Sequence, residues 1–304
     1  MRLAELTPGQ LTQRLRDEGL TLQTGPVRVR IRSRLGPVAD ALATLYAEHE
    51  LGDVEDFCDF DTRIDAVDGL RRWLKPQAQF LFDGQNPFKP MALPHASAML
   101  EWGLNWCVSS HCHQYIIIHA AVVERGGHAI VLPAPPGSGK STLCAGLVNR
   151  GWRLLSDELT LIDPATGELL PLARPVSLKN RSIALIKDFA PEAVFGPLTH
   201  DTVKGTVAHM RPPADSVRRA AEPARLGWIV FPRWVAASPV TPLPLARGEA
   251  MMALVDNAFN YHLHGRAGFD CLSRMVAGAQ CLRFEYSDLE QACAFFNALP
   301  EADR

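Results

Sequence analysis

Apolar and polar residues alternate with a period of two along Val27-Arg28-Val29-Arg30-Ile31-Arg32, which predicts a half-exposed strand. Upstream, Leu6-Thr7-Pro8 has the form of a helix N-cap with proline at the first helical position, and predicts a helix to about Glu18. Pro37 to His49 reads as helix, Phe57 to Val67 and Gln79 to Phe82 as strands, and Asp83-Gly84-Gln85-Asn86-Pro87 as a turn. Met91 to Ser110 is a mostly apolar helix, amphipathic from about Ala96. It carries Trp102 and Trp106 at the i, i+4 spacing of core side chains rather than of a nucleobase clamp. Tyr115 to Val123 and His128 to Leu132 flank a tight Glu124-Arg125-Gly126-Gly127 hairpin, and a second hairpin surrounds Pro164-Ala165-Thr166-Gly167. Ala190 to Ala224 is rich in proline, glycine and charge and predicts a mobile loop. Leu226 to Phe231 and Cys281 to Tyr286 read as strands. Glu249 to Asn257, Cys271 to Gly278 and Asp288 to Leu299 read as helices, with His262 and His264 in a solvent-exposed loop. The pattern predicts a mixed α/β chain. An α+β lead-in over 1–90 packs on a second domain over 91–304.

The apolar run Ala129-Ile130-Val131-Leu132 leads into Ala-Pro-Pro-Gly-Ser-Gly-Lys-Ser-Thr at 134–142. A helical pattern with Leu143, Leu147 and Val148 on one face follows, then Gly151 at the C-cap. Strand, glycine loop, Lys-Ser and helix is the context of a phosphate-binding P-loop. Small residues let the backbone of Gly137, Ser138, Gly139, Lys140, Ser141 and Thr142 form a nest of N–H donors, and the helix N-terminus adds positive partial charge. Lys140 then reaches the β- and γ-phosphates of ATP, and Ser141 ligates Mg²⁺. The pattern departs from the motif at Ala134, where glycine is usual, and Pro135 and Pro136 supply no N–H.

After the helix, Trp152-Arg153-Leu154-Leu155-Ser156-Asp157-Glu158 reads as a strand ending in two carboxylates. One helix and one strand therefore return an acid to the phosphate loop. There it can order Mg²⁺ with Ser141 or accept the proton of an attacking hydroxyl. A solvated acidic turn is the competing reading. Arg174, Lys179, Lys204 and His209 are cations in otherwise apolar or glycine-containing segments, suited either to a γ-phosphoryl group or an anionic substrate, or to surface ion pairs.

Bulk properties narrow the partners. The 304 residues carry 31 basic and 33 acidic side chains, a net charge of −2, which gives no electrostatic case for nucleic acid or an anionic membrane. In so balanced a chain the stripe Arg28, Arg30, Arg32 and Arg34 reads as a solvated face more than as an anion site. The N-terminus lacks the apolar core of a signal peptide, and no apolar run has the length of a membrane span, so a cytoplasmic location is expected. The 7 cysteines then read as reduced thiols. Cys107 and Cys112 with His111 and His113 match no common zinc spacing and read as the end of an amphipathic helix.

Strand, P-loop, helix and Arg150-Gly151-Trp152-Arg153-Leu154-Leu155-Ser156-Asp157-Glu158 together resemble the catalytic core of the HPr kinase/phosphorylase family, whose P-loop is related to that of phosphoenolpyruvate carboxykinase. His119-Ala120-Ala121-Val122-Val123 corresponds to a His-Gly-Val-Leu-Val strand of that family. The chain more closely resembles the HPr-kinase-related kinase A group through Glu101-Trp102-Gly103-Leu104-Asn105-Trp106, Arg174-Pro175-Val176-Ser177-Leu178-Lys179-Asn180, Lys204-Gly205-Thr206-Val207-Ala208-His209, Phe231-Pro232, Phe259-Asn260-Tyr261 and Tyr286-Ser287-Asp288-Leu289. The chain departs from true HPr kinases at Ala134 and Glu158, and their signature segment after the acid pair is not recognisable, which makes HPr a poor candidate substrate.

The resemblance implies a P-loop kinase with Asp157 as the base facing an acceptor hydroxyl, for which a serine of a small protein or peptide is the leading candidate. It sets His119 beside the acid pair, where a core histidine bonded to backbone is the equal alternative. Relatives form rings, which leaves a homo-oligomer open. A small-molecule kinase on the same scaffold and a non-catalytic ATP-binding sensor or assembly module are the competing functions.

Overall fold

The alternation at Val27–Ser33 places Val27, Val29 and Ile31 inward and the intervening arginines on the rim. The computed structural model describes residues 1–53, 55–69 and 74–299. Helix α1 (Pro8–Arg16) starts on a reciprocal Thr7–Gln10 capping box with Pro8 at its first position. The strands β1 (Leu20–Thr24), β2 (Val27–Ser33), β3 (Phe60–Ala66), β4 (Gln77–Phe82) and β5 (Met91–Ala92) form one sheet in that order, with only β2 and β3 parallel. Asp56 and Asp61 pair with the half-buried arginine face through Arg28 and Arg32. Helices α2 (Gly36–Leu45) and α3 (Ala96–His111) complete this first core. It extends past residue 90 to Cys112 and takes in Ile117, Leu159, Leu161 and Leu172. Cys107 and Cys112 lie inside it, each thiol pushed up to about 12 by burial, and the His111 ring packs on Phe82 and Trp106.

A second, six-stranded sheet carries the P-loop. After β6 (Ile116–Ile118) come β7 (Ala120–Arg125) and β8 (His128–Pro133), then α4 (Lys140–Val148) and β9 (Arg153–Ser156). The chain continues through β10 (Thr160–Ile162), β11 (Leu169–Leu170) and β12 (Val176–Lys179), then α5 (Arg181–Phe189), β13 (Thr199–Thr202), β14 (Gly205–Met210) and α6 (Ala214–Arg218). It closes with β15 (Arg225–Trp234), β16 (Thr241–Pro244), α7 (Arg247–Asp256), α8 (Tyr261–Gly278), β17 (Gln280–Tyr286) and α9 (Leu289–Asn297). The large sheet has the order β16-β17-β15-β8-β7-β9, with β17, β15 and β8 parallel. Helices α4 and α9 bury one face of it, and α7 and α8 contribute to the core on the other. Two small antiparallel sheets, β11-β10-β6 and β12-β14-β13, flank it. The fold is mixed α/β.

The helix read from Met91 begins at Ala96, with Met91–Ala92 forming β5, and three further segments depart from the sequence pattern. The predicted strand 115–123 is two strands, β6 and β7, which join different sheets and part at His119. The predicted loop 190–224 is largely ordered structure: β13 and β14 form a hairpin on β12, burying Val207, Ala208 and Met210, and α6 follows. His262 and His264 belong to α8, where the His264 ring bonds the Tyr115 carbonyl oxygen at 3.0 Å. Among the described residues, no helix is long and apolar enough to cross a membrane.

Candidate functional site

Strand β8 delivers the chain to a tight loop, and α4 leaves it from Lys140. The positive φ angles in the loop fall at Gly137 (+89°) and Gly139 (+90°), where glycine alone is unstrained. Ala134 is buried and outside that region, so alanine serves where the common motif has glycine. A β-carbon on Gly139 would lie 2.6 Å from the Tyr286 hydroxyl and 3.0 Å from Trp234 Cβ. The reason is close bracing from the ends of the parallel strands. The Trp234 N–H donates to the Ser138 carbonyl at 2.8 Å, and the Tyr286 hydroxyl donates to the Gly139 carbonyl at 2.9 Å. With the Ser138 and Gly139 carbonyls engaged by protein, the loop has its early helical N–H groups left for an anion.

Lys140 is only 6% exposed, and its Nζ makes no hydrogen bond to any described residue. Burial lowers its pKa against the opposing pull of Asp157 and Glu158. Asp157, at the turn after β9, is 4% exposed. Its Oδ2 accepts from Ser141 Oγ at 3.1 Å and from the Ser177 N–H at 3.0 Å. Its Oδ1 is buried without a hydrogen-bond partner among the described residues. Burial pushes this carboxyl up to about 6; Glu158 adds to the rise, while Lys140 and the two hydrogen bonds oppose it. At Glu158, burial also works against the charge, but Lys179, Lys140, Lys204 and His119 outweigh it and hold the carboxyl below its ordinary value. Two adjacent acids are thus driven in opposite directions.

The cleft in front of the loop has a volume of about 830 Å³. His119, Lys140, Glu158, Lys179 and Lys204 line it, together with the loop itself. The break at His119 is what turns its ring to the cleft: the backbone N–H donates to the Asn257 carbonyl at 2.7 Å, and Asn260 clamps Ile117 and Tyr115 beside it. Burial, with Lys140, Lys179 and Lys204 nearby, lowers the imidazole to about 4, so it is neutral near pH 7. Lys204 sits between β13 and β14 with its Nζ 5.6 Å from the Trp102 ring centre.

Arg174 is placed differently. It faces a small cavity of about 20 Å³ beside the acids, not the cleft. Its guanidinium donates to Glu101 at 2.8 Å and to Tyr46 at 3.3 Å, and both of those partners are buried. His209 pairs across from Ser177 on β14 and faces the same cavity, where burial lowers its pKa. Trp106 and Phe259 reach the cleft walls. Trp106 therefore combines packing on Phe82 and Phe88 with a face to the site. The sequence gives no role to Asn105, yet its Nδ2 donates to Glu158 Oε2 at 2.6 Å.

The donors fit magnesium. Ser141 Oγ and the Asp157 carboxylate are adjacent hard oxygen donors, and one Asp157 oxygen has no hydrogen-bond partner among the described residues. Among the described residues, no cluster of three or more His, Cys, Asp or Glu side chains forms a dedicated metal cage. Mg²⁺ needs none, since it uses one or two carboxylates with phosphate and water oxygens.

The chain is 25% identical over 193 residues to an HPr kinase/phosphorylase of Aromatoleum aromaticum, a match covering 60% of this chain and 59% of that protein. The chain thus spans less than two thirds of the curated relative it matches. Among solved structures, the HPr(Ser) kinase/phosphatase from Coxiella burnetii aligns with 60% of this chain and 91% of its own, at 11% identity and a TM-score of 0.27. No family model matches the chain.

Proposed function

We propose that this chain is an ATP-dependent phosphotransferase of HPr-kinase-like type, moving the γ-phosphoryl group to a hydroxyl. One observation carries the reading: the buried Asp157 carboxylate bonds Ser141 in the first turn of the P-loop helix, with Lys140 beside it. The named relative and the phrases shared with the kinase A group support it. A module that only binds ATP needs the loop and lysine, not a buried acid raised toward neutrality.

In this reading the loop N–H groups and Lys140 bind the triphosphate. Ser141 and Asp157, with Glu158, hold Mg²⁺, which when bound neutralises charge on the transferred group. Asp157 orients the acceptor hydroxyl and takes its proton as the hydroxyl oxygen bonds the γ-phosphorus and the bond to ADP breaks. Lys179 and Lys204 stabilise charge on the phosphoryl oxygens. His119, neutral, orients the acid pair or the acceptor. Arg174 serves from behind the acids, through its buried partners. The first acceptors to test are serine-containing small proteins and peptides. Incubation of the protein with γ-labelled ATP, Mg²⁺ and such acceptors tests the reading. Labelled product that depends on Asp157 supports it, and tight ATP binding with no transfer or hydrolysis favours the sensor.

A further inference from the structure

The proposed reaction leaves unexplained why an asparagine in an otherwise core helix touches one of the acids. Asn105 lies on α3, and its two amide atoms have different partners: Oδ1 accepts from Arg174 Nη1 at 2.8 Å, and Nδ2 donates to Glu158 Oε2 at 2.6 Å. A guanidinium has only donors and a carboxylate only acceptors, so the amide is satisfied in one orientation alone. Arg174 is itself immobilised. Its Nη2 donates to Glu101 Oε2 at 2.8 Å, its Nε donates to the Tyr46 hydroxyl at 3.3 Å, and that hydroxyl donates to Glu101 Oε1 at 2.8 Å.

We infer that Asn105 is a positioning residue that holds the Glu158 carboxylate beside Asp157, and that the buried Tyr46–Glu101–Arg174 cluster fixes Asn105 in turn. The bonds run unbroken from the C-cap of α2, through α3, to the acid after β9. The N-terminal region is thereby mechanically tied to the candidate site. Glu158 otherwise stands among Lys140, Lys179, Lys204 and His119, which pull its charge toward the open cleft. A fixed donor on its inner side selects one placement of that charge. The metal-related part of this role rests on the proposed phosphotransferase reading; the contact itself does not.

Asn105→Asp tests it, because the replacement is isosteric, keeps the bond to Arg174, and sets a carboxylate against Glu158. In urea unfolding of the metal-free protein, Asn105→Asp should lower the folding constant. The same substitution made in a Glu158→Ala background should cost less, by roughly 2- to 100-fold in that constant. An equal cost in both backgrounds overturns the contact. The second readout is the Mg²⁺ dependence of ATP turnover. Asn105→Asp should raise the half-saturating Mg²⁺ about 10- to 100-fold, as loss of a group orienting a metal ligand does, and should change the rate at saturating Mg²⁺ much less. A wild-type Mg²⁺ dependence overturns the positioning role. If the wild-type protein turns over no ATP, the phosphotransferase reading fails, and the unfolding comparison still decides whether Asn105 holds Glu158.

Discussion

The Ser141 hydroxyl donates to the Asp157 carboxylate at 3.1 Å, joining the first turn of the P-loop helix to the end of the neighbouring strand β9. The bond closes a short circuit. One helix and one strand carry the chain away from the phosphate loop and bring a buried acid back to it. Because the acid is desolvated, its charge is costly and is poised to be relieved by a proton or a cation.

That cost is measurable in the metal-free protein. The Asp157 carboxyl rises from 3.8 to about 6 on folding, chiefly through burial. The folded state then binds the proton more tightly than the unfolded state, so stability falls as pH rises between these values. Above about pH 6 the full penalty applies, about 3 kcal/mol from the pKa change; below about pH 4 both states are protonated and it vanishes. Asp157→Asn should therefore be more stable than wild type at pH 7 to 8, with the difference shrinking toward pH 4. Urea melts across that range check it, and a pH-independent offset would sink the claim.

The loop bracing separates two glycines. Gly137→Ala meets no atom within 4 Å and carries only its φ penalty, roughly 1–2 kcal/mol. Gly139→Ala has the same penalty and also strikes the Tyr286 hydroxyl and Trp234. Gly139→Ala should lose more thermal stability and more ATP affinity than Gly137→Ala. Equal effects in calorimetry would mean that the two strand ends do not shape the loop.

Arg174 and Glu101 form a buried ion pair at 2.8 Å. Arg174→Ala leaves Glu101 charged and unpaired, at about 3–5 kcal/mol of stability. Arg174→Lys keeps the charge but not the fork that reaches Glu101, Tyr46 and Asn105 together, and should recover only part of that loss. Full recovery by lysine in denaturant melts would show that charge alone matters there.

The P-loop was legible because its signal is local: an apolar strand, glycines where φ is positive, and a helix opening at Lys140. The acid pair was legible for the same reason, being one strand away. His119 was half legible. The run Ile116-Ile117-Ile118 continues into apolar residues with no turn signal, and the break there is set by the distant Asn257 and Asn260. The hairpin over 199–210 was hidden by the prolines, glycines and charges of the wider segment around it, since β14 gains its burial only by pairing with β12. The position of Arg174 depends on Tyr46 and Glu101, far away in sequence, so its cation alone leaves a phosphate or anion ligand and a surface ion pair as equal readings. Asn105 carries no local signal; only the juxtaposition of α3 with the end of β9 gives it a partner.

Lys140 should matter for binding and not for folding. Its buried Nζ makes no hydrogen bond among the described residues, and burial outweighs the attraction of Asp157 and Glu158, so Lys140→Ala relieves a net desolvation cost and should leave the melting temperature unchanged or higher. ATP affinity should fall about 10- to 100-fold, the loss of a charge-assisted contact of roughly 1.5–3 kcal/mol. Calorimetric titration with Mg-ATP gives the answer, and an undiminished affinity would remove Lys140 from the phosphate site.

The role of Asp157 in transfer is read from release of labelled phosphate from γ-labelled ATP, to water if no acceptor is in hand, by wild type and Asp157→Asn at saturating ATP and Mg²⁺. Mg²⁺-dependent turnover is expected in wild type. A loss of about 10²–10⁴-fold is expected in Asp157→Asn, the usual cost of removing a positioned proton acceptor, with ATP affinity far less changed because the loop and Lys140 remain. Equal turnover by the two proteins would contradict the assignment of Asp157, and no turnover by wild type despite tight ATP binding would contradict the phosphotransferase itself.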